Sequence, residues 1–172
     1  MVVFKILLIL LLLFISFQDF KYKAVWWIAF PIGFILSVLL SYSEISLNDL
    51  VFNTLFNLLF IAFQLGVIML FSWIKFKQFK NIFTHVFGLG DLLFLVMICS
   101  LFSPFNFVLF YVLSLAFSLI FYLILKILKI YNDAKIPLAG LQSIFLVIAI
   151  CIDFFSKFNF YNDYQILEYI LG

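Results

Sequence analysis

The chain divides into six stretches of roughly 17 to 25 mostly apolar residues, and that succession constrains its fold more than any other feature. They run from Val2 to Gln18, Val25 to Tyr42, Leu50 to Ile74, Ile82 to Ser103, Phe105 to Leu128 and Ile136 to Phe155. A helix needs about 20 such residues to cross a hydrocarbon layer about 30 Å thick. The connections carry charged or turn-forming residues: Asp19 to Lys23, Ser41 to Asp49, Lys75 to Asn81, Pro104 to Asn106 and Lys129 to Lys135. None is long enough for a separate soluble domain.

Composition agrees. Of 172 residues, 68% are hydrophobic and only 10% charged, against roughly 25% charged in soluble domains. A water-soluble chain of this length would leave about a third of its unfolded surface facing water, and too few polar residues exist here to cover it. The 27 phenylalanines suit a hydrocarbon surround. The sequence therefore predicts an all-α integral membrane protein, a bundle of about six transmembrane helices over residues 1–155. Residues 156–172 read as a short interfacial tail holding Asp163 and Glu168. Phe17, Gln18, Asp19 and Phe20 lack the small-residue pattern of a signal-peptide cleavage site, so the first stretch is read as a retained span.

Orientation follows from the basic residues, all of which are lysines. Lys21 and Lys23 lie in the first connection, Lys75, Lys77 and Lys80 in the third, and Lys126, Lys129 and Lys135 in or beside the fifth. Short cytoplasmic connections are enriched in positive charge. These three should therefore face the cytoplasm, and both termini the other side. The net charge of +2 conceals that asymmetry and gives no reason to invoke nucleic acid. Cys99 and Cys151 sit within apolar stretches without paired-thiol spacing or neighbouring histidines, so they read as apolar filler.

Ionisable groups in or near spans are costly and point to function. Asp19 closes the first stretch. Asp91 lies inside the fourth, in Gly88-Leu89-Gly90-Asp91, and by the lysine count both aspartates belong to the cytoplasmic half. Counted from Ile82, Asp91 would lie on the order of 13 Å into a continuous helix. Gly88 and Gly90 argue against continuity, because glycine permits unusual backbone angles and close approach by an extended peptide. Two carboxylates held close in a low-dielectric setting share a proton. The charged member can activate water while the protonated member polarises a peptide carbonyl. That chemistry is peptide hydrolysis without a covalent intermediate.

Other polar residues have plainer readings. His85 reads as a membrane-edge histidine, Asp133 and Lys135 as a solvated pair, and Asp153 as a boundary residue on the far side. Asn53 and Asn57, one helical turn apart, should hydrogen-bond between helices. Trp26 and Trp27 fit an interfacial aromatic belt.

Asp19-Phe20-Lys21-Tyr22-Lys23, closing an apolar first helix, resembles the first catalytic motif of the type IV prepilin peptidases and archaeal preflagellin peptidases. Gly88-Leu89-Gly90-Asp91 resembles the second, the Gly-x-Gly-Asp signature of this class of membrane aspartyl proteases. Lys135-Ile136-Pro137-Leu138-Ala139-Gly140 is similar to the family's late proline-containing segment. The resemblance spans essentially the whole chain. It implies Asp19 and Asp91 as the catalytic pair, with Gly88, Gly90 and Pro137 shaping the backbone around the substrate. It also implies prepilin-like membrane substrates cut at the cytoplasmic face of a prokaryotic inner membrane, and no metal or organic cofactor. The chain departs from the family in carrying Val25, Trp26 and Trp27 where Ile-Pro-Asn is common, and Leu93 where a lysine is common. Nothing in it resembles the cysteine-rich methyltransferase portion of the large bacterial enzymes, so methylation of the product is not implied. The contrasting expectation is a non-catalytic assembly component, or a small transporter using Asp19 and Asp91 as a proton relay.

Overall fold

A computed structural model describes residues 2–76, 88–128, 137–156 and 159–163. Among them the chain is all-helical, with no strand. The helices are α1 (Val2–Tyr22), α2 (Ala29–Tyr42), α3 (Leu47–Phe76), α4 (Leu89–Ile98), α5 (Pro104–Ile127) and α6 (Leu138–Ser156). Three of them, α1, α3 and α5, are long and apolar enough to cross a membrane, which points to a membrane protein. The outer faces agree with that: Phe63 and Ile74 are each 71% exposed and Ile127 78%, a surface suited to lipid and not to water.

α2 and α4 are shorter than the apolar stretches that contain them. α4 is the extreme case, with 10 residues covering about 15 Å. It ends because the next residues find hydrogen-bond partners outside the helix. Asn57 of α3 donates through its side-chain N–H groups to the carbonyls of Cys99 (2.8 Å) and Phe102 (2.9 Å), and Ser41 of α2 donates to the carbonyl of Ser100 (2.6 Å). Non-helical backbone inside a membrane protein persists only where its polar groups are satisfied this way. Pro104 then opens α5 at a position where a missing N–H costs nothing. The interhelical role read for Asn57 is thus seen directly.

Packing uses small residues as well as apolar bulk. On α2, Gly33, Ser37 and Ser41 recur every four residues and are all buried. Ser37 donates back to the carbonyl of Gly33 (2.8 Å), and the single proton of Ser41 is shared between the carbonyls of Ser37 (2.9 Å) and Ser100. This narrow stripe lets α2 approach α4: a side chain added at Gly33 would run into Met97 and Leu11. α1 packs against α2 and, more extensively, against α6. α6 also packs on α5 and α4. The core between them is built from Leu8, Leu12, Ile15, Phe94, Met97 and Leu146. Cys99 is buried there, whereas Cys151 lies on the exposed face of α6; both are free thiols.

α5 and α6 run antiparallel. Gln142 of α6 donates to Ser114 of α5, and Asn106, at the start of α5, donates to the carbonyl of Phe160, just beyond the end of α6, at 2.9 Å. From the Gln142–Ser114 level α6 has only four residues left to its start, while α5 continues for thirteen to Ile127. α5 therefore overhangs the beginning of α6 by about 14 Å. The candidate site is at the start of α6.

Candidate active site

The beginning of α6 explains why this point attracts carboxylates. Pro137 accepts the first intrahelical hydrogen bond, from Leu141 N–H at 3.0 Å, so it is the N-cap. An N-cap side chain normally accepts from the second or third N–H of its helix. Proline has no acceptor to offer. The second and third N–H groups belong to Ala139 and Gly140, and other helices supply their acceptors. Ala139 N–H donates to Asp91 Oδ1 at 2.9 Å, and Gly140 N–H donates to Asp19 Oδ2 at 2.6 Å. The first turn of a helix carries partial positive charge, which favours anions there.

Two aspartates 72 positions apart in sequence thus converge on consecutive peptide groups, whose Cα atoms are about 3.8 Å apart. Asp19 is buried and Asp91 partly buried, and the charge on Asp19 acts directly on Asp91. Each carboxylate spends one acceptor position on α6. An ionised carboxylate offers about four lone-pair sites, so capacity remains on both for water, for a substrate carbonyl or for a shared proton.

Each aspartate is fixed by its own helix. Asp19 lies on the buried face of α1 with Leu8, Leu12 and Ile15. α1 does not stop at Asp19 but runs three residues further, and ends where Lys23 adopts a left-handed conformation (φ 52°) and donates its N–H to the Asp19 carbonyl at 3.0 Å. That conformation costs a non-glycine residue about 1–2 kcal/mol. Gln18, beside Asp19, accepts from Trp26 N–H at 2.9 Å and fastens the connection to α2. Trp26 and Trp27 project outward, as an interfacial belt would. Asp91 is the third residue of α4, after the N-cap Gly88, whose backbone is a further hydrogen-bond partner of its carboxylate.

The glycines work through space and not through unusual angles. No described glycine has a positive φ, and Gly88 sits at an ordinary extended φ of −70° and ψ of 135°, which corrects the expectation drawn from glycine's conformational freedom. A Cβ at Gly88 would lie 2.8 Å from Asp91 Oδ2. One at Gly140 would lie 3.1 Å from both Cβ and Oδ2 of Asp19, and 3.2 Å from the Phe20 ring. At Gly90 a Cβ would meet nothing within 4 Å.

No family model, no curated protein and no solved structure matches this chain. The chemistry of the site must therefore be read from its own residues. Of those singled out in the sequence, Asp19, Asp91, Gly88 and Pro137 meet around the first turn of α6, while Gly90 stands in α4 with no close neighbour. His85, Asp133 and Lys135 lie outside the described residues, as do Lys77, Lys80, Lys129 and Glu168. Sequence reasoning missed the donors, Ala139 and Gly140. It also named no partner for Asp153, whose Oδ2 pairs with Lys5 Nζ at 2.7 Å.

Proposed function

We propose that this protein is an intramembrane aspartyl endopeptidase that removes the leader of prepilin-like substrates, with Asp19 and Asp91 as its catalytic pair. The observation that carries this reading is the convergence of both carboxylates on the Ala139 and Gly140 N–H groups. Two acids held by neutral peptide dipoles keep their protons exchangeable. One then serves as general base toward water while the other, protonated, hydrogen-bonds the scissile carbonyl. The N–H groups orient both carboxylates before the substrate arrives, so little reorganisation remains at the moment of reaction. The substrate class itself rests on the resemblance of the two aspartate motifs, and the cut would fall at the cytoplasmic face.

The same geometry caps α6, and an amide substitution separates the two roles. Asparagine retains a carbonyl oxygen that can accept from the helix N–H groups, yet it cannot transfer a proton. Asp19→Asn and Asp91→Asn should each insert and fold like the parent and lower cleavage by about 100-fold or more. The assay mixes membrane-embedded protein with co-expressed prepilin-like substrates and follows leader loss by mass. Cleavage that persists in either variant rejects the pair.

A further inference from the structure

The end of the helices opposite the aspartate pair holds a second polar site, which takes no part in the proposed peptidase. A cavity of about 270 Å³ opens between the start of α1, the ends of α2 and α6, and the turns around residues 101 and 160. Its floor is apolar, formed by Leu8, Leu101, Phe102 and Leu146, of which Leu8 and Leu146 are wholly buried. Its rim is polar. Lys5 and Asp153 form an ion pair on it at 2.7 Å, each partly buried, and Glu44, also on the lining, is exposed. The Tyr161 hydroxyl lies 3.2 Å from Ser41 Oγ. Burial pushes its phenol up to about 12, with Glu44 and Asp153 both close enough to act on it, so these three groups surround one small volume.

Among the described residues, two carboxylates stand against one ammonium over an apolar floor. Lysine carries three donor protons, and the ion pair uses one. Such a rim complements a ligand with a cation and an anion side by side, and the floor requires that ligand to be amphiphilic. A primary ammonium can donate hydrogen bonds to the Glu44 carboxylate and the Tyr161 oxygen, which a quaternary one cannot. Lys5, Glu44 and Asp153 also lie near helix ends, the level at which lipid headgroups meet a membrane protein.

We propose that this cavity binds the headgroup of an aminophospholipid, with its ammonium on Glu44 and Tyr161, its phosphate on the remaining protons of Lys5, and its first methylenes against Leu8, Leu101 and Leu146. The test is native mass spectrometry of the full-length protein released from detergent with phosphatidylethanolamine, phosphatidylcholine or phosphatidylglycerol added. Phosphatidylethanolamine should be retained about tenfold more than either other lipid, a preference of one or two charge-assisted hydrogen bonds. Glu44→Gln, at an exposed position that leaves the core untouched, should erase that preference while phosphatidylglycerol retention stays the same. Glycerophosphoethanolamine, which carries the headgroup without acyl chains, should compete only at concentrations more than about tenfold higher. Equal retention of the three lipids, or an unchanged preference in Glu44→Gln, would overturn the site. Competition by glycerophosphoethanolamine at equal concentration would overturn its assignment to a lipid.

Discussion

The two ends of the α1–α6 pair are fastened by carboxylates in opposite ways. At one end Asp19 of α1 accepts from the Gly140 peptide N–H of α6. At the other, Lys5 of α1 meets Asp153 of α6 as an ion pair. Fourteen residues separate the two points on α1 and thirteen on α6, about 20 Å in each case, so both helices are pinned in one register. The difference lies in what the partner does to the acid. Asp153 faces a full positive charge at 2.7 Å, a partner that serves to fasten the two helices. A peptide dipole orients Asp19 without cancelling its charge, and Asp91 is held in the same manner beside it. An acid that caps a helix through a neutral peptide keeps acceptor positions free for water or substrate, whereas Asp153 is engaged by a cation.

That contrast can be broken most sharply by amide substitution at each end. If it holds, Asp153→Asn keeps cleavage within a few-fold of the parent, against the loss of about 100-fold or more expected for Asp19→Asn or Asp91→Asn. Equal losses at both ends would mean that fastening, and not proton transfer, is what activity requires.

A smaller effect should separate the glycines. Gly140→Ala places a methyl 3.1 Å from Asp19. Forcing it in costs about 1–3 kcal/mol and displaces the carboxylate from its donor, so cleavage should fall by at least about tenfold. Gly90→Ala enters open space inside α4 and should leave cleavage unchanged, with helix stability raised by up to about 1 kcal/mol. Parallel rates and melting temperatures for the two variants check this.

The smallest effect on activity belongs to the far end. Lys5→Met leaves Asp153 without its cation, and thermal stability should drop by about 1–3 kcal/mol, while cleavage per folded molecule is unaltered. The double variant Lys5→Met with Asp153→Leu should recover most of that stability, because apolar residues replace a largely desolvated pair without leaving either charge alone.

How much of this was legible follows from which signals side chains carry. The apolar stretches announce helices through composition alone, and Asp19 and Asp91 stand out because ionisable groups in such stretches are costly. The shortness of α4 was hidden. Cys99 to Ser103 is apolar enough to extend the hydropathy of the fourth stretch, and the break depends on Asn57 and Ser41 reaching in from other helices. The donors that hold the aspartates were hidden for a different reason: a peptide N–H has no side-chain signature. Their only trace is Pro137, a helix start without a capping side chain, followed closely by Gly140. Lys5 and Asp153 were each visible as charges near span ends, but their pairing needs the first and last helices to lie side by side, and no local pattern states that.

The central claim, that the carboxylate-bearing end of α1 sits directly on the first turn of α6, can be tested by crosslinking. A Cβ built at Gly140 lies 3.1 Å from Asp19 Cβ, near the roughly 3.5–4.5 Å span of disulfides. In a background with Cys99→Ala and Cys151→Ser, the pair Asp19→Cys with Gly140→Cys should form a disulfide under mild oxidation. Non-reducing peptide mass mapping would find it. The pair Asp19→Cys with Ser143→Cys, about one turn further along α6, should not crosslink. Failure of the first pair with both thiols accessible to a small alkylating reagent, or crosslinking of both pairs alike, would contradict the account.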